Sequence, residues 1–401
     1  MDGDAFFVGV EVAKNPRLKG LPVVTGEEKG IVSALSYEAK ALGVVRGMPI
    51  FILKKSFPKV IILPGDYKSY VQYSGKMFDI VRRYADDVEE YSIDECFADL
   101  TGLEPPLKMT YREIALRIKR EISAELGLSV SVGLAPTKVL AKVASKWQKP
   151  DGLTVISPQS APEFLAQTPI GKIWGIGRQT SQFLKKQGIQ TAGDFVAKDF
   201  DWIRNNLAKP YEVIWRELQG VSIMEIDPNQ KTTYSSVQKT RSFHPATKDT
   251  VFLLSQLSKH IEEACAKARH YGMAPRNVSI FLKTRDFQYI TADVPIFSPT
   301  NAPEIIIAEA QEAFKKMYTD KVLFRTTGVT LYDLAPVSAT QTDLFGNTSQ
   351  ADKFEAIHRQ IDALEAKHGK RLVHLASTHH ALKRKVKGTD ADDLDRDLLF
   401  L

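Results

Sequence analysis

Three acidic side chains in the first hundred residues have the types and positions to do chemistry. Asp94 and Glu95 are adjacent and interrupt a strand-like run, and Asp2 lies at the extreme N-terminus. Acids far apart in sequence can converge on one sheet and hold two divalent cations, because Mg²⁺ selects oxygen ligands and usually binds one or two carboxylates plus substrate phosphates. Such a site carries out in-line phosphoryl or nucleotidyl transfer. The three acids therefore predict a two-metal centre.

An isolated Asp-Glu pair is nevertheless more often a solvated turn than a metal site. Neighbouring residues on a regular strand point to opposite faces, so Asp94 and Glu95 can share a site only at a tight hairpin or bulge near Ser92. The flanking segments 87–91 and 96–100 both have the composition of short strands. The sequence is thus consistent with a hairpin that presents both acids.

The composition excludes several classes of protein. The chain has 401 residues, 43% hydrophobic and 25% charged, which predicts two to four globular domains. No apolar run is long enough to span a membrane, and the acidic start is unlike a secretory signal. Cys96 and Cys265 are too few for a disulfide framework, which is typical of a cytoplasmic protein, and no Cys/His cluster has zinc spacing. The net charge of +6 permits nucleic-acid binding.

The elements that must position these acids alternate along the first 160 residues. A helix at 5–13 is predicted to follow Asp4, whose short side chain would cap it, and Pro136 suits the first turn of another helix. Interleaved strands and helices favour a mixed sheet with helices packed on it. The other predicted elements here are helices at 66–84 and 110–126 and strands at 128–134 and 153–156.

Residues 170–195 have the pattern of a helix-hairpin-helix. Gly175 and Gly177 would let the backbone approach a phosphate, and N–H groups at the next helix N-terminus would donate to it. Arg178 and two nearby lysines favour such a contact. The alternative is an ordinary helical turn that ends at a glycine.

The second half of the chain predicts a linker and a further domain. Pro, Gly and polar residues between 208 and 240 indicate the linker. A compact α/β unit follows at 239–334 and begins with a strand. Helices are predicted at 249–271 and 302–317, and further strands at 277–284, 287–294 and 327–333. A helix at 352–368 and a charged tail are predicted after it.

Five motifs occur together in an order found in a known protein family; they occupy residues 2–7, 36–40, 92–95, 133–138 and 149–152. With them the chain resembles the Y-family (translesion) DNA polymerases over essentially its whole length. The resemblance implies an α/β (α+β), multidomain right-hand polymerase with a ferredoxin-like palm, small fingers, a helix-hairpin-helix thumb and an α/β little finger. It places the palm at 1–13 and 63–165 and the fingers at 14–62. The thumb is placed at 166–230, the little finger at 231–335 and a C-terminal tail at 336–401.

The resemblance also implies a function. It predicts a template-directed, low-fidelity DNA polymerase for translesion synthesis in DNA-damage repair and tolerance, which adds dNTPs to a primer 3′-hydroxyl by two-metal-ion nucleotidyl transfer without proofreading. The fingers segment has room for no long helix that could close on the base pair, which implies an open site. Two alternatives are a catalytically inactive, clamp-tethered DNA-binding scaffold and a palm-fold nucleotidyl cyclase.

The family's metal-binding positions match Asp2, Asp94 and Glu95, with the carbonyl of Gly3 as a further oxygen. They are expected to hold two Mg²⁺ ions, and Asp94 and Glu95 are the expected catalytic pair. Asp4 is interpreted as a helix cap and not as a ligand.

Other motif positions match nucleotide contacts. Phe7 corresponds to the steric gate, an aromatic ring under the sugar that leaves no room for a 2′-hydroxyl. Tyr37, Lys40 and Lys149 correspond to triphosphate contacts. Many members have arginine in place of Lys40, and because an ammonium lacks the planar fork of a guanidinium, Arg46 is a candidate to compensate.

DNA contacts are expected from two regions. In the thumb they are Gly175, Gly177 and Arg178. In the little finger they are Lys239, Arg241 and Arg325, on strands that the family lays against the phosphates of the major groove. Alternation puts Lys239 and Arg241 on one face, and backbone contact without base readout suits an enzyme that copies any sequence.

The C-terminal part carries an expected partner site. Gln341, Leu344 and Phe345 resemble the bacterial sliding-clamp peptide, and apolar anchors in a polar segment suit a partner groove. The terminal segment 398–401 is a second candidate. The expected partners are primer–template DNA, dNTPs, the sliding clamp and SOS accessory subunits, and the expected state is a monomer in the cytoplasm, associated with the nucleoid.

The N-terminus departs from the family pattern. Family members have a short strand ahead of the first metal-binding acid, whereas Met1 directly precedes Asp2 here. The expectation is therefore that the palm sheet lacks an edge, that a positive α-amino group lies one residue from a metal ligand, and that the true start is upstream.

Overall fold

The computed structural model of the chain describes residues 1–229, 234–337 and 348–383. The chain divides into two compact units, and the boundary between them follows residue 230. Among the described residues, no helix has both the length and the apolar content that crossing a bilayer requires.

Short strands and helices alternate through the first unit, as the sequence predicts. In chain order they are β1 (Asp2–Gly3), α1 (Phe6–Lys14), β2 (Val23–Thr25), β3 (Ala34–Leu35), α2 (Tyr37–Ala41), α3 (Ile50–Ser56), β4 (Ile61–Leu63), α4 (Tyr67–Arg82), β5 (Val88–Glu90), β6 (Cys96–Ala98), α5 (Glu104–Leu107), α6 (Tyr111–Leu126), β7 (Val130–Leu134), α7 (Lys138–Trp147), β8 (Leu153–Val155), α8 (Ala161–Gln167), α9 (Arg178–Lys186), α10 (Ala192–Val196), α11 (Phe200–Asn206) and α12 (Lys209–Leu218).

The central sheet has the strand order β1-β7-β8, and the β5–β6 hairpin continues it beyond β1. Asp2 pairs with Ser131 of β7 on one side and forms a bridge with Glu95 on the other. The N–H of Cys96 also donates to the carbonyl of Met1 at 3.2 Å. The expectation of a missing edge is therefore corrected: β1 lies inside this sheet, between the hairpin and β7.

Helices α4 and α6 bury the core of this sheet, and both begin at a capping side chain. The side chain of Asp66 accepts from the N–H of Ser69 at 3.2 Å at the start of α4. Thr110 and Glu113 form a capping box at the start of α6, which satisfies N–H groups that the helix itself leaves unpaired. The core contacts come mainly from residues such as Phe6, Met77, Ile114 and Val130.

Two predicted helix starts are wrong in detail. Helix α1 begins after Ala5, which has a left-handed backbone (φ 47°), and no side chain caps it. Asp4 therefore does not cap this helix; its carboxylate binds elsewhere. Thr137 caps α7 through the N–H of Leu140, so Pro136 precedes the cap instead of lying in the first turn.

A small module at residues 23–63 contains the sheet β3-β2-β4 with α2 and α3. Its own core includes Val24, Ala39, Leu53 and Val60. The longest helix here, α3, has seven residues, in agreement with the expectation of short elements in this segment.

The predicted linker at 208–240 is wrong in its first part. Residues 209–218 form α12, which packs with the helices α8–α11. Glu217 on α12 is 0% exposed, and its carboxylate accepts the N–H groups of Val139, Ile223 and Met224 at 3.2, 2.7 and 2.8 Å. These bonds fix the chain after α12 to the first unit.

The second unit is a four-stranded antiparallel sheet with helices on one face, and the α/β pattern predicted for it is confirmed. Its elements are β9 (Ser236–Thr247), α13 (Thr250–His270), β10 (Met273–Thr284), β11 (Tyr289–Val294), α14 (Pro303–Met317), β12 (Phe324–Pro336), α15 (Thr348–His368) and α16 (His379–Lys383), and the strand order is β11-β10-β12-β9. The helix-covered face of the sheet forms the core with α13 and α14. On the other face, the side chains of β9 and β11 are exposed, whereas those of β10 and β12 are mostly half-buried or buried.

The predicted helix at 352–368 is confirmed as α15, but the residues after it do not form only a charged tail. Asp362 of α15 accepts from Arg269 of α13 at 2.7 Å, and His358 is paired with Glu304 of α14 at 2.8 Å. Farther along, Arg371 donates to Glu262 at 3.2 Å. The segment 348–383 is therefore packed on the helical side of the second unit.

Candidate active site

The turn between β5 and β6 brings the two adjacent acids to β1. The N–H groups of Tyr91 and Ser92 both donate to the carbonyl of Glu95, at 3.1 and 3.0 Å. The N–H of Gly3 donates to the carbonyl of Asp94 at 2.8 Å. The predicted hairpin is confirmed, and it joins Asp94 and Glu95 to the strand that carries Asp2.

The carboxylates of Asp2 and Glu95 are in contact, and two lysines balance their charge. Lys142 of α7 donates to Glu95 at 2.7 Å, and Lys149 donates to Asp2. Asp2 is 7% exposed. Two acids in one nearly buried place repel each other unless a cation or a shared proton is present.

Of this pair, Asp2 binds a proton more readily than Glu95. Burial, reinforced by the hydrogen bond with Glu95, raises the pKa of Asp2 to about 6. Burial alone would also raise the pKa of Glu95, but the hydrogen bond from Asp2 and the ion pair with Lys142 outweigh it and lower that pKa. A cation that binds beside this pair would favour the ionised form of both carboxylates.

The third acid is beside this pair but has a different partner. The Asp94 carboxylate accepts from the hydroxyl of Ser92 at 2.7 Å, and burial raises the pKa of Asp94. Within residues 1–229, 234–337 and 348–383, no three acidic, histidine or cysteine side chains stand where they could hold a metal ion together. The donor atoms that converge here are nevertheless all oxygens, which are the ligands that Mg²⁺ selects.

Asp4 has a structural role that replaces the predicted cap. Its carboxylate accepts from the hydroxyls of Ser129 and Ser131, at 2.8 Å each, and from the N–H of Asp151 at 2.8 Å. Lys149 lies 3.4 Å from it. Asp4 therefore ties the loop after α7 to the central sheet and keeps Lys149 beside Asp2.

Lys142 is a site residue that the motifs alone did not identify. Its ammonium lies 4.0 Å from the ring centroid of Tyr91 and 5.2 Å from that of Trp174, in addition to its ion pair with Glu95. The Trp174 indole donates to the Tyr91 hydroxyl at 2.9 Å. The signal in the sequence was helical spacing, since Lys138 and Lys142 are four residues apart and share one face of α7.

A cavity of about 540 Å³ lies between α1 and the small module, and its lining includes Ala5, Tyr37, Lys40 and Arg46. Burial, followed by the charges of Asp4 and Asp2, raises the pKa of Tyr37. The cavity therefore adjoins the acids, and both Lys40 and Arg46 are on its wall. Tyr37 and Lys40, the two predicted triphosphate contacts of this module, thus line the same cavity.

Phe6 and Phe7 are separated as the sequence predicts. Phe6 is buried in the core, while Phe7 is half-buried. The Phe7 ring is stacked on Tyr70 with 4.4 Å between centroids, and the Tyr70 hydroxyl donates to Glu11 at 2.8 Å. One face of the Phe7 ring is thus held against a fixed aromatic support.

In the helical part, Gly175 and Gly177 lead into α9. Gly175 has φ 86°, and a Cβ there would lie 2.6 Å from the side chain of Ile214, so packing as well as backbone conformation requires glycine. Gly177 precedes the first helical residue, Arg178, which is exposed, and no side chain caps this helix. The first N–H groups of α9 are therefore available to a phosphate.

Two predicted DNA contacts in the second unit face the wrong way. Exposure alternates along β9 and confirms that Lys239 and Arg241 share a face, but that face also carries Val237 and Phe243 and is covered by helices. Lys239 is 5% exposed and Arg241 is half-buried. The expected phosphate contact of this pair is corrected accordingly.

The open face of β9 carries neutral polar side chains instead, namely Ser236, Gln238, Thr240 and Ser242. The third predicted contact, Arg325 on β12, lies against the ring of Phe287, with 4.3 Å between the guanidinium carbon and the ring centroid. The clamp-peptide residues Gln341, Leu344 and Phe345, and the alternative segment 398–401, lie outside the described residues.

Comparison with protein families matches most of the chain. The impB/mucB/samB family model matches residues 1–146, the model of that family's C-terminal domain matches 234–344, and the model described as the IMS family HHH motif matches 158–189.

Individual proteins and solved structures agree with these matches. DNA polymerase IV 1 of Bacillus subtilis (strain 168) is 31% identical over 97% of this chain and 94% of its own length. DNA polymerase IV of Desulfatibacillum aliphaticivorans is 32% identical, over 91% and 92%. Among solved structures, a Y-family DNA polymerase chimera of Dbh and Dpo4 has a TM-score of 0.69 at 25% identity, covering 83% of this chain and 97% of its own. An insertion ternary complex of Dbh DNA polymerase has a TM-score of 0.55 at 28% identity.

Proposed function

The chain belongs to the Y-family DNA polymerases, the impB/mucB/samB family, and is a DNA-directed DNA polymerase of translesion synthesis; on this premise we propose that Asp2, Asp94 and Glu95 form its two-metal catalytic centre. The observation that carries the proposal is the contact between the buried carboxylate of Asp2 and the half-buried carboxylate of Glu95, beside the turn that holds Asp94. Like charges at such short range favour a divalent cation.

Each residue of the centre has a defined task. Asp2, Asp94 and Glu95, with the carbonyl of Gly3, would hold two Mg²⁺ ions. When bound, these ions lower the pKa of the primer 3′-hydroxyl and neutralise the triphosphate and its leaving pyrophosphate. Lys142 holds Glu95 in place through the 2.7 Å ion pair.

The nucleotide is proposed to lie between Phe7 and the cavity. Tyr37, Lys40 and Lys149 would contact the triphosphate, and Arg46 on the cavity wall would supply the bidentate contact that Lys40 cannot make. Phe7 would pack under the sugar as the steric gate. The small module at 23–63 would serve as fingers too short to close on the base pair, which favours low-fidelity synthesis.

DNA is proposed to contact the start of α9 and the second unit. The exposed N–H groups after Gly177, together with Arg178, suit a phosphate. In the second unit, Arg325 is kept as a proposed contact, and the open face of β9 replaces Lys239 and Arg241. The expected domain limits, the sliding clamp and the SOS accessory subunits remain predictions.

A metal-removal experiment tests the catalytic proposal. Primer extension by the full chain is expected to need Mg²⁺, to stop in excess EDTA and to return when Mg²⁺ is restored. Primer–template binding, measured by fluorescence anisotropy in the same EDTA, is expected to persist because the proposed DNA contacts are made by residues other than the acids. Undiminished extension in EDTA would exclude a two-metal centre.

The clamp peptide gives a separate prediction. Changing Leu344 and Phe345 together to Ala should weaken binding to a bacterial sliding clamp at least about tenfold, because such anchors contribute most of the energy of a small interface. Clamp-stimulated synthesis should fall, whereas clamp-free extension of short primers stays the same, since tethering only raises the local concentration.

Thr342→Ala, in the same segment, is the matched control and should leave clamp binding intact. If the double variant binds the clamp normally and binding is lost only when residues 396–401 are deleted, the terminal segment is the clamp peptide.

A further inference from the structure

A cluster of exposed aromatic and basic side chains lies at one end of the β10–β11 hairpin in the second unit. Phe287 and Tyr289 are each 60% exposed. Lys283 and Arg325 lie beside their rings. We call these four residues the aromatic tip.

The two cations of the aromatic tip are held over its rings. The Lys283 ammonium is 5.1 Å from the ring centroid of Phe287 and 4.5 Å from that of Tyr289, and it donates to the Tyr289 hydroxyl at 3.0 Å. The Arg325 guanidinium carbon is 4.3 Å from the Phe287 centroid. Within the described part of the second unit, no carboxylate forms an ion pair with Lys283 or Arg325. The tip therefore combines large apolar rings with two positive charges.

Phe287 is held outward by a backbone that does not suit it. Its φ is 68°, in the left-handed region that glycine adopts freely and that costs other residues about 1 kcal/mol or more. The turn is fixed by bonds from the N–H of Phe287 to the carbonyl of Thr284 at 3.0 Å and from the N–H of Thr284 to the carbonyl of Gln288 at 2.9 Å. A large, exposed ring at a strained position is unfavourable for folding, which points to a ligand for the ring.

The ligand must offer a flat π surface together with negative charge. Unpaired DNA does so, because each base exposes its faces and each nucleotide carries a phosphate, whereas the bases of a duplex bury their faces in the stack. We propose that the aromatic tip is a stacking platform for unpaired bases of the template strand. This proposal rests on the polymerase function and assigns one part of the DNA to one part of the second unit.

Stacking of this kind tolerates any base, since every base has a π face. It therefore suits an enzyme that must hold a template of arbitrary sequence. The cations beside the rings can neutralise the phosphates that flank a stacked base.

Binding of the full chain to three DNAs tests the proposal. These are a blunt duplex, the same duplex with an unpaired 5′ template overhang, and that overhang with abasic residues in place of its nucleotides, each measured by fluorescence anisotropy at one salt concentration. Wild-type protein is expected to bind the base-containing overhang about fivefold or more tightly than the abasic one. Phe287→Ala should abolish this difference while blunt-duplex affinity is unchanged, and Phe287→Trp should restore it.

Phe297 supplies a matched control, since it is 100% exposed in the same unit and no cation of the described residues lies over its ring. Phe297→Ala should behave as wild type. Equal wild-type affinity for the two overhangs, or an undiminished difference in Phe287→Ala, would overturn the proposal. So would an equal loss on all three DNAs, which would show that the ring serves the duplex or the fold. Failure of the polymerase assignment would appear separately, as absent primer extension by wild-type protein with Mg²⁺.

Discussion

Replacing Asp94 or Glu95 by alanine is expected to lower the rate of primer extension by at least about a thousandfold. Stabilisation by a catalytic metal contributes several kcal/mol to the transition state, and ~1.4 kcal/mol corresponds to a tenfold change in rate. Each variant removes one proposed metal ligand from the turn between β5 and β6. The measurement is single-turnover extension of a labelled primer with saturating dNTP.

Asp86→Ala is the matched control, since Asp86 is an exposed acid just before the same hairpin. It should extend primers at the wild-type rate. DNA affinity should be kept in Asp94→Ala and in Glu95→Ala, which separates chemistry from binding. Wild-type turnover by either of these variants would show that the acids are only a charged turn.

Phe7→Ala is expected to reduce discrimination against ribonucleotides by about 10- to 100-fold. Forcing extra atoms into a packed site costs about 1–3 kcal/mol, and this penalty disappears when the ring is removed. The stacking of Phe7 on Tyr70 at 4.4 Å makes the penalty steep, because the ring has a fixed support and cannot yield. The measurement is the ratio of kcat/KM for a deoxyribonucleotide to that for the matching ribonucleotide.

Its neighbour Phe6 is the control, because Phe6 is buried in the core. Phe6→Leu should lower the thermal unfolding midpoint and leave the sugar ratio as in wild type. An unchanged ratio in Phe7→Ala would place Phe7 among the core residues and leave the gate unassigned.

Local signals sufficed for much of this fold. The helices α4 and α6 were predictable from the helical pattern of their own residues, and the caps Asp66 and Thr110 act within one turn. The hairpin at Asp94 and Glu95 was predictable because two short strand-like runs flank it.

The failures involve contacts that a local reading cannot contain. Asp4 has the composition of a helix cap, yet its partners Ser129 and Ser131 are more than 120 residues away. Alternation along β9 gave the relative orientation of Lys239 and Arg241, but which face the helices cover depends on the rest of the domain. The sequence pattern of α7 also does not show that Lys142 forms an ion pair with Glu95, which lies in the turn between β5 and β6.

The neutral open face of β9 bears on how DNA moves after each addition. Ser236, Gln238, Thr240 and Ser242 offer hydrogen bonds without charge, so phosphates that meet them release few counterions. Hydrogen bonds of this kind are individually weak and exchange with water at little net cost. A duplex bound to this face can advance by one base pair without first breaking ion pairs. The surface thus favours translocation of the duplex over tight binding of it.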